Sequence, residues 1–145
     1  MDTLGFFHEV FNTPLRVRPP VEERRIPENY RTTYAGAGML PDEVKVWCVQ
    51  EGEGDGGGQG GALACFWGFE DSPDAEILCS GYDTEKEYGA VAVGRLEDLL
   101  FWGYDAPPRR MTEEGRRFFL NALCFLARKE GAERAAGGGP EGGTE

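Results

Sequence analysis

Four carboxylates stand together in the stretch "GFEDSPDAEILCSG" (residues 68–81), just before an apolar run that is typical of a strand. These acids are Glu70, Asp71, Asp74 and Glu76. Hard cations such as Ca²⁺ bind several carboxylate oxygens, and two further acids, Asp83 or Asp105, could complete the shell from neighbouring turns. The spacing does not match an EF-hand loop. A calcium site is therefore one hypothesis for these acids.

The same residues are also typical of a turn. Pro73 fixes its own backbone angle, and the side chains of Asp71 and Ser72 can accept hydrogen bonds from nearby backbone amides. The charges would also keep a strand edge from pairing with another chain. We predict a structural turn, with a site for an ion or small ligand at Asp71, Asp74 and Glu76 as the alternative. A glycosidase that uses two of these acids as general acid and base is a further alternative. Such enzymes require a defined separation of the two carboxyl groups, which the sequence does not give.

The four cysteines could supply a nucleophile, a disulfide or a metal site. Cys48, Cys65, Cys79 and Cys124 include no CxxC pair, and each lies in an apolar stretch. Zinc sites usually show paired spacing, so we predict free, buried thiols, which indicate a reducing compartment. The only histidine, His8, has no second ligand at a metal-binding spacing, and we interpret it as a surface or packing residue.

Several aromatic side chains suggest either a carbohydrate site or a core, because flat rings suit sugar rings but strand aromatics more often pack inside. Trp102 and Tyr104 share strand parity with Leu100, so all three should face one side. Tyr104 lies at a strand end beside Asp105, where α/β folds place ligands, and it is the best of these candidates. The six aromatic candidates are Trp47, Trp67, Trp102, Tyr82, Tyr88 and Tyr104.

Length and charge limit the class of protein. A chain of 145 residues suits one domain. The formal net charge of −11 would repel phosphate backbones and acidic lipids, so we expect neither a nucleic acid nor a membrane partner. No apolar stretch is long enough to span a bilayer, and the first residues lack the parts of a secretory signal. We expect a soluble, cytoplasmic protein, and no motif predicts a cofactor.

The composition divides the chain into three parts. Residues 1–43 contain five prolines and are predicted to form an extended arm, with a short helix near residues 3–11. Residues 44–130 are predicted to form an α/β domain, interrupted at 51–61 by a flexible Gly-rich loop. Residues 131–145 are Gly-rich and acidic and are predicted to form a disordered tail.

Short apolar segments bounded by turns predict the strands of the domain. They cover residues 44–49, 62–69, 75–80, 88–94 and 98–104. The last two segments, joined through "RLED", indicate a β-hairpin, and their continuous apolarity favours strands covered on both faces. A helix follows, which Thr112 is predicted to cap and Gly131 to end. Its predicted apolar face comprises Phe118, Phe119, Ala122, Leu123, Phe125 and Leu126.

The stretch "YGAVAVGRLEDLLFWGYDAPPRRMTEEGRRFFLNALCFLA" (residues 88–127) carries a family resemblance. It resembles the C-terminal end of class I glutamine-amidotransferase-like domains, especially the trehalose-utilisation-like branch and related uncharacterised bacterial proteins. The matching pieces are Gly94-Arg95, Gly103-Tyr104 and Met111 through Ala122. Together with "FEDSPDAEILCSG", the resemblance covers roughly residues 68–130. It implies an abbreviated flavodoxin-like α/β sheet with a C-terminal hairpin and a closing helix.

The chain departs from the catalytic pattern of that family. Catalytic amidotransferases carry their cysteine on a Gly-x-Cys-x-Gly elbow, whereas Leu63 and Trp67 occupy the glycine positions around Cys65. We therefore expect Cys65 to point into the core. Relatives can carry His where Tyr104 stands, and His8 precedes every cysteine, so the expected base of a Cys/His mechanism is missing.

These observations predict a non-catalytic binding or interaction module. One alternative is a hydrolase or transferase that uses Cys65 or the acids from Glu70 to Glu76, and another is a module that binds calcium or carbohydrate. The ligand-binding residues would be Asp71, Asp74, Glu76, Tyr104 and Asp105. A sheet with few strands exposes its edges, so we expect the arm, a protein partner or a second copy in a homodimer to cover one.

Overall fold

A computed structural model describes residues 6–33, 36–51 and 61–137. In these residues the fold is mixed α/β, with two small antiparallel sheets and a long C-terminal helix. The strands are β1 (Glu22–Arg25), β2 (Glu43–Val46), β3 (Ala75–Ser80), β4 (Val91–Leu96) and β5 (Leu99–Trp102). The helices are α1 (Glu28–Thr33), α2 (Trp67–Glu70) and α3 (Glu113–Gly137), and single 3-10 turns occupy Glu9–Phe11, Ala37–Met39 and Pro108–Arg110.

The larger sheet has the strand order β3, β4, β5. The predicted hairpin is confirmed: β4 pairs with β5, and Leu96 lies opposite Leu99. The two residues between them make the turn, and Glu97 has a φ of 51°, which the tight turns of hairpins require. The strand predicted over residues 75–80 is confirmed as β3.

The smaller sheet joins the arm to the rest of the chain. β1 lies within the predicted arm and pairs with β2, with Glu22 opposite Val46. The arm thus covers one edge of β2, as expected. β2 is shorter than the strand predicted over 44–49, because the following residues pair elsewhere: Thr112 donates its backbone N–H to Val49 O at 3.0 Å, and Glu51 donates to Arg110 O at 2.8 Å.

The main core lies between one face of the larger sheet, α3 and the arm. Phe118 of α3 is its centre: the Phe11 ring stacks on it at 4.9 Å, and the Trp102 ring lies 5.5 Å away. Leu100, Trp102 and Tyr104 all pack against this core, which confirms their predicted common face. The buried members are Val10, Phe11, Val17, Val49, Leu78, Ala92, Val93, Phe118, Ala122 and Phe125.

The start of α3 is fixed by Thr112, as predicted. Its Oγ accepts the backbone N–H of Gly115 at 3.0 Å and donates to Cys48 O at 2.9 Å. A Cβ on Gly115 would lie 1.9 Å from Val49 O, so only glycine allows the helix to approach this segment so closely. The cap therefore also docks α3 on the segment after β2.

Asn121, buried in α3, fixes the arm. Its Nδ2 donates to Val10 O at 2.8 Å and Leu15 O at 2.6 Å, and its Oδ1 accepts the Leu15 N–H at 2.9 Å. Buried backbone polar groups need such partners. A single side chain thus fixes the backbone of the arm at both Val10 and Leu15.

Three predictions need correction. Residues 62–69 do not form a strand: Ala64 makes an isolated bridge to Val91, and α2 follows, because so short an apolar run suits either structure. The disordered tail predicted from 131 is wrong for residues 131–137, since α3 runs through an exposed Gly131 that is flanked by good helix formers. Within residues 6–11, the described part of the helix predicted near residues 3–11, the helical structure is the single turn Glu9–Phe11. Residues 1–5, 52–60 and 138–145, parts of the predicted arm, loop and tail, lie outside the described residues.

Candidate functional site

The acids of the 70–76 stretch fall into two groups. The predicted turn is confirmed, since Ala75 donates its backbone N–H to Ser72 O at 3.2 Å. Asp71 and Asp74 lie exposed on this turn, whereas Glu76 on β3 is only partly exposed. Among the described residues, no group of three or more His, Cys, Asp or Glu side chains could hold a metal ion. The turn therefore does not gather these acids into a cation shell.

Glu76 instead contacts the arm. Its Oε1 lies 2.7 Å from His8 Nε2, and its Oε2 lies 3.7 Å from Nε of Arg95, its cross-strand neighbour on β4. The His8 ring also packs edge-on against Phe125 of α3, with the centroids 5.2 Å apart. This cluster joins the arm, the sheet and the helix at one end of the core.

The hydrogen bonds of His8 define what its imidazole can do. The Val10 backbone N–H donates to Nδ1 at 3.1 Å, which assigns the proton to Nε2, and Nε2 then donates to Glu76. Both ring nitrogens are thus occupied, and neither can take a proton from a substrate in this arrangement. His8 caps the turn Glu9–Phe11 and packs, which confirms its interpretation as a packing residue.

Tyr104 and Cys79 are both half-buried on the core side of the sheet. The Cys79 thiol donates to Ser80 O at 3.4 Å. Burial raises the pKa of Cys79 from 9.0 to about 12, and burial and then the neighbouring Cys79 raise the pKa of Tyr104 well above 10.0. Both groups stay neutral at ordinary pH. Tyr104 is therefore a packing residue here.

The side chain of Asp105 lies in different surroundings from that of Tyr104, the residue before it. Its side chain is exposed, and its Oδ1 accepts from Nε2 of the buried Gln50 at 3.3 Å. Gln50 Oε1 accepts the Ala106 N–H at 3.1 Å, so this amide fixes the chain between β5 and α3. Tyr104 and Asp105, which were predicted to share a ligand site, thus have different contacts: Tyr104 packs against the core, and Asp105 binds Gln50.

Cys65 is exposed, so the prediction that it points into the core is wrong. It stands between the bridge at Ala64 and helix α2, outside the packed region. A hydrogen bond with the Glu87 carboxylate, followed by the charge of that group, raises the pKa of the thiol. A raised pKa lowers the thiolate fraction, which is the nucleophilic form. All four cysteines are free, as predicted, but only Cys48, Cys79 and Cys124 are even partly buried.

The candidate aromatic residues are divided among separate places. Trp47 and Trp102 pack on Phe118 in the core, with centroids at 5.6 Å and 5.5 Å. Tyr82 and Tyr88 pack edge-on against Tyr30 of α1. Trp67, in contrast, is 61% exposed and stacks on its neighbour Phe66, at 4.3 Å. These rings do not form one platform for a sugar.

The second face of the β3–β4–β5 sheet carries apolar side chains that the sequence analysis did not separate from the core. Cross-strand partners share a face, and the ladder pairs Ile77 with Gly94, Gly94 with Phe101, and Leu96 with Leu99. We call the face formed by Ile77, Leu96, Leu99 and Phe101 the outer sheet face. Leu99 on it is 70% exposed.

Among the described residues, the short helix α2 is the element that covers the outer sheet face. Its Phe69 ring lies 6.4 Å from that of Phe101, and a Cβ on Gly94 would lie 2.5 Å from the Phe69 ring. Four helical residues cover the middle of this face and leave its end at the hairpin turn open. The expectation that the strands are covered on both faces holds for Val91–Gly94 of β4, which is buried, but not for β5.

Exposed carboxylates border this open end. Glu97 donates its backbone N–H to Asp74 O at 3.1 Å, so the turn of the opening stretch lies against the hairpin turn. We call the exposed acids of α2 and of these two turns the acidic rim: Glu70, Asp71, Asp74, Glu97 and Asp98. The alternation Leu99, Phe101 against Leu100, Trp102 is the sequence signal that could have revealed the outer sheet face.

Comparison of the chain with protein-family models, with curated proteins and with solved structures finds no match. Among the described helices, none is long and apolar enough to cross a membrane.

Proposed function

We propose that this chain is a non-catalytic interaction module that binds a segment of a partner protein on the outer sheet face. The observation that carries the proposal is the open apolar end of that face, where the cross-strand pair Leu99 and Leu96 is 70% and 40% exposed, beside the acidic rim. Contiguous exposed apolar surface bordered by polar groups is typical of protein interaction sites.

The charges at this surface define the chemistry of the partner. The acidic rim favours a segment that carries Lys or Arg next to its apolar residues, and the net charge of −11 attracts the same segment from a distance. Burial of Leu99 and Leu96 would supply most of the affinity, because buried apolar side chains are the main favourable term in association. The acids of the opening stretch, Asp71 and Asp74, then serve binding by their charge rather than by coordination.

The catalytic and ion-binding alternatives receive less support. The pKa of the Cys65 thiol is raised, and the partners of His8 are Glu76, Val10 and Phe125 rather than a cysteine. A calcium or carbohydrate site at Asp71, Asp74, Tyr104 and Asp105 would require side chains that lie on a turn, in the core and beyond β5 to act together. If the rim acts only by its charge, adding millimolar Ca²⁺ should change the melting temperature of Asp74→Asn no less than that of the wild type.

The family relation stays part of the proposal. We propose that the chain is a reduced relative of the glutamine-amidotransferase-like domains, in the trehalose-utilisation-like branch, with an abbreviated flavodoxin-like sheet. The hairpin and α3 support this relation, since both occur where the resemblance implies them. The free cysteines support a cytoplasmic, reducing setting.

Selection from a random peptide library displayed on phage tests the proposed function. We expect the selected peptides to combine Leu, Ile or Phe with Lys or Arg, and to bind more weakly as salt rises. The double variant Leu96→Ser/Leu99→Ser should lose this binding, while Val21→Ser, which replaces an aliphatic side chain that is 42% exposed elsewhere, should keep it.

Circular dichroism spectra of the three proteins should coincide, which shows that the variants fold. Peptides that bind the double variant as well as the wild type would contradict the proposal. So would a selection that enriches acidic peptides.

A further inference from the structure

Helix α3 has a second apolar side that faces away from the core. Phe118, Ala122 and Phe125 are buried on one side, whereas Leu120 is 50% and Leu123 44% exposed on the other. The prediction that Leu123 belongs to the core face is therefore wrong. Ala127 is also exposed and lies one turn after Leu123 on the same side.

The positions on this side, all exposed except the half-buried Glu130, alternate three and four residues apart along most of the helix. This spacing is the heptad pattern through which two helices pack together. We call this set of positions the outer stripe of α3. It comprises Glu113, Arg116, Leu120, Leu123, Ala127, Glu130 and Arg134.

The order of charges along the outer stripe defines the partner. From the outer stripe we infer that α3 pairs with α3 of a second copy of the chain in an antiparallel arrangement, with the two-fold axis beside Leu123. This arrangement brings Arg116 level with Glu130 of the second copy, and Glu113 level with Arg134 of the second copy. Leu120 then lies level with Ala127 across the axis.

A parallel pair would place each residue level with its own copy. Arg116 would then face a second Arg116, and Glu130 a second Glu130, so like charges would repel each other. The antiparallel arrangement also opposes the two helix dipoles favourably. The stripe is thus complementary to itself in one direction only.

Cys124, partly exposed, lies beside Leu123 on the helix. The pairing buries few large side chains, so the dimer belongs to the small-interface class and should dissociate on dilution. This inference goes beyond the proposed function and does not depend on it.

Sedimentation equilibrium of the full chain over a series of concentrations tests the inference. The mass should rise from 16.0 kDa towards twice that value as concentration increases. Leu123→Lys should hold the mass at the monomer value, while Val21→Lys, at an equally exposed aliphatic position, should dimerise like the wild type.

A charge exchange tests the direction of the pairing. Arg116→Glu should raise the dimer dissociation constant about tenfold, because two opposed pairs become repulsive in the symmetric dimer. The double variant Arg116→Glu/Glu130→Arg should restore the wild-type value. In a parallel dimer, where each residue faces its own copy, Arg116→Glu alone would leave the dissociation constant nearly unchanged, and that result would contradict the antiparallel arrangement.

A monomer at every concentration would overturn the inference, as would a dimer that Leu123→Lys leaves intact. Peptide binding by the outer sheet face can be measured on the monomeric Leu123→Lys protein, so failure of one proposal leaves the other distinguishable.

Discussion

The inner and outer faces of the β3–β4–β5 sheet are built from the same kinds of residue but have different surroundings. On the inner face, α3 and the arm bury Val93 completely and enclose Trp102. On the outer face, α2 is the only helix among the described residues, and Leu99 remains 70% exposed. Residues that alternate along one strand, Leu100 and Leu99, therefore belong to a core and to an open surface.

This difference shows that apolar content alone does not locate a core. The inner face is closed because two sequence-distant segments dock on it through specific polar contacts, those of Asn121 and Thr112. The outer face has no comparable long element among the described residues. Its apolar side chains are therefore exposed to water unless a binding partner covers them.

The largest effect should come from shortening the central side chain of the inner face. Phe118→Ala should lower the free energy of unfolding by about 3–5 kcal/mol, because it removes a fully buried ring that contacts Phe11 and Trp102. Leu99→Ala, its match on the outer face, should change it by less than about 0.5 kcal/mol. Urea unfolding measures both. Equal losses would show that the two faces are equally buried and would remove the comparison.

The second largest effect should come from high pH, which should lower the free energy of unfolding through groups on the inner face. The pKa of Cys79 is about 12 in the folded chain and 9.0 ordinarily, so the fold favours the neutral thiol. This contribution is fully present below pH 9.0, is lost progressively as pH rises towards 12, and amounts to up to about 4 kcal/mol. The raised pKa of Tyr104 acts in the same direction above pH 10.0.

Urea midpoints at about pH 8 and about pH 11 measure this loss. Cys79→Ala should flatten the dependence between these two conditions, and Tyr104→Phe should flatten it further. A midpoint of the wild-type protein that does not fall at the higher pH would mean that these groups are in contact with water.

The contact between His8 and Glu76 should have a smaller effect. His8→Ala removes the cap of the Glu9–Phe11 turn and the bond to Glu76, so the free energy of unfolding should fall by about 1–2 kcal/mol. Glu76→Gln keeps an oxygen that accepts from His8 Nε2 and should cost less. Thermal unfolding distinguishes the two, and a larger loss in Glu76→Gln would indicate that its charge near Arg95 matters more than the hydrogen bond.

Local signals were sufficient for the elements that sequence reasoning placed correctly. β3 and the hairpin follow from apolar runs bounded by turn residues, and the start of α3 follows from Thr112 and the acids after it. Residues 62–69 failed because a short apolar run with a glycine suits a strand or a helix, and Gly131 failed because neighbouring helix formers outweigh one exposed glycine.

The candidate site could be predicted only in part. The acids at Asp71 and Asp74 were noticed, but their role depends on a hairpin turn that folds against them. The bond between His8 and Glu76 joins residues 68 positions apart, and no local pattern reports it. The full outer sheet face could not be predicted, because the side on which Leu99 and Ile77 lie depends on how the three strands pair.

The central claim is that the outer sheet face is a binding surface for an apolar segment with basic residues. Titration calorimetry of a library-selected peptide with the wild-type protein and with Leu99→Ser tests it most directly. We predict binding with a negative heat-capacity change, as burial of apolar surface requires, and loss of that binding in Leu99→Ser. Unchanged affinity in Leu99→Ser would contradict the claim and place the binding surface elsewhere on the molecule.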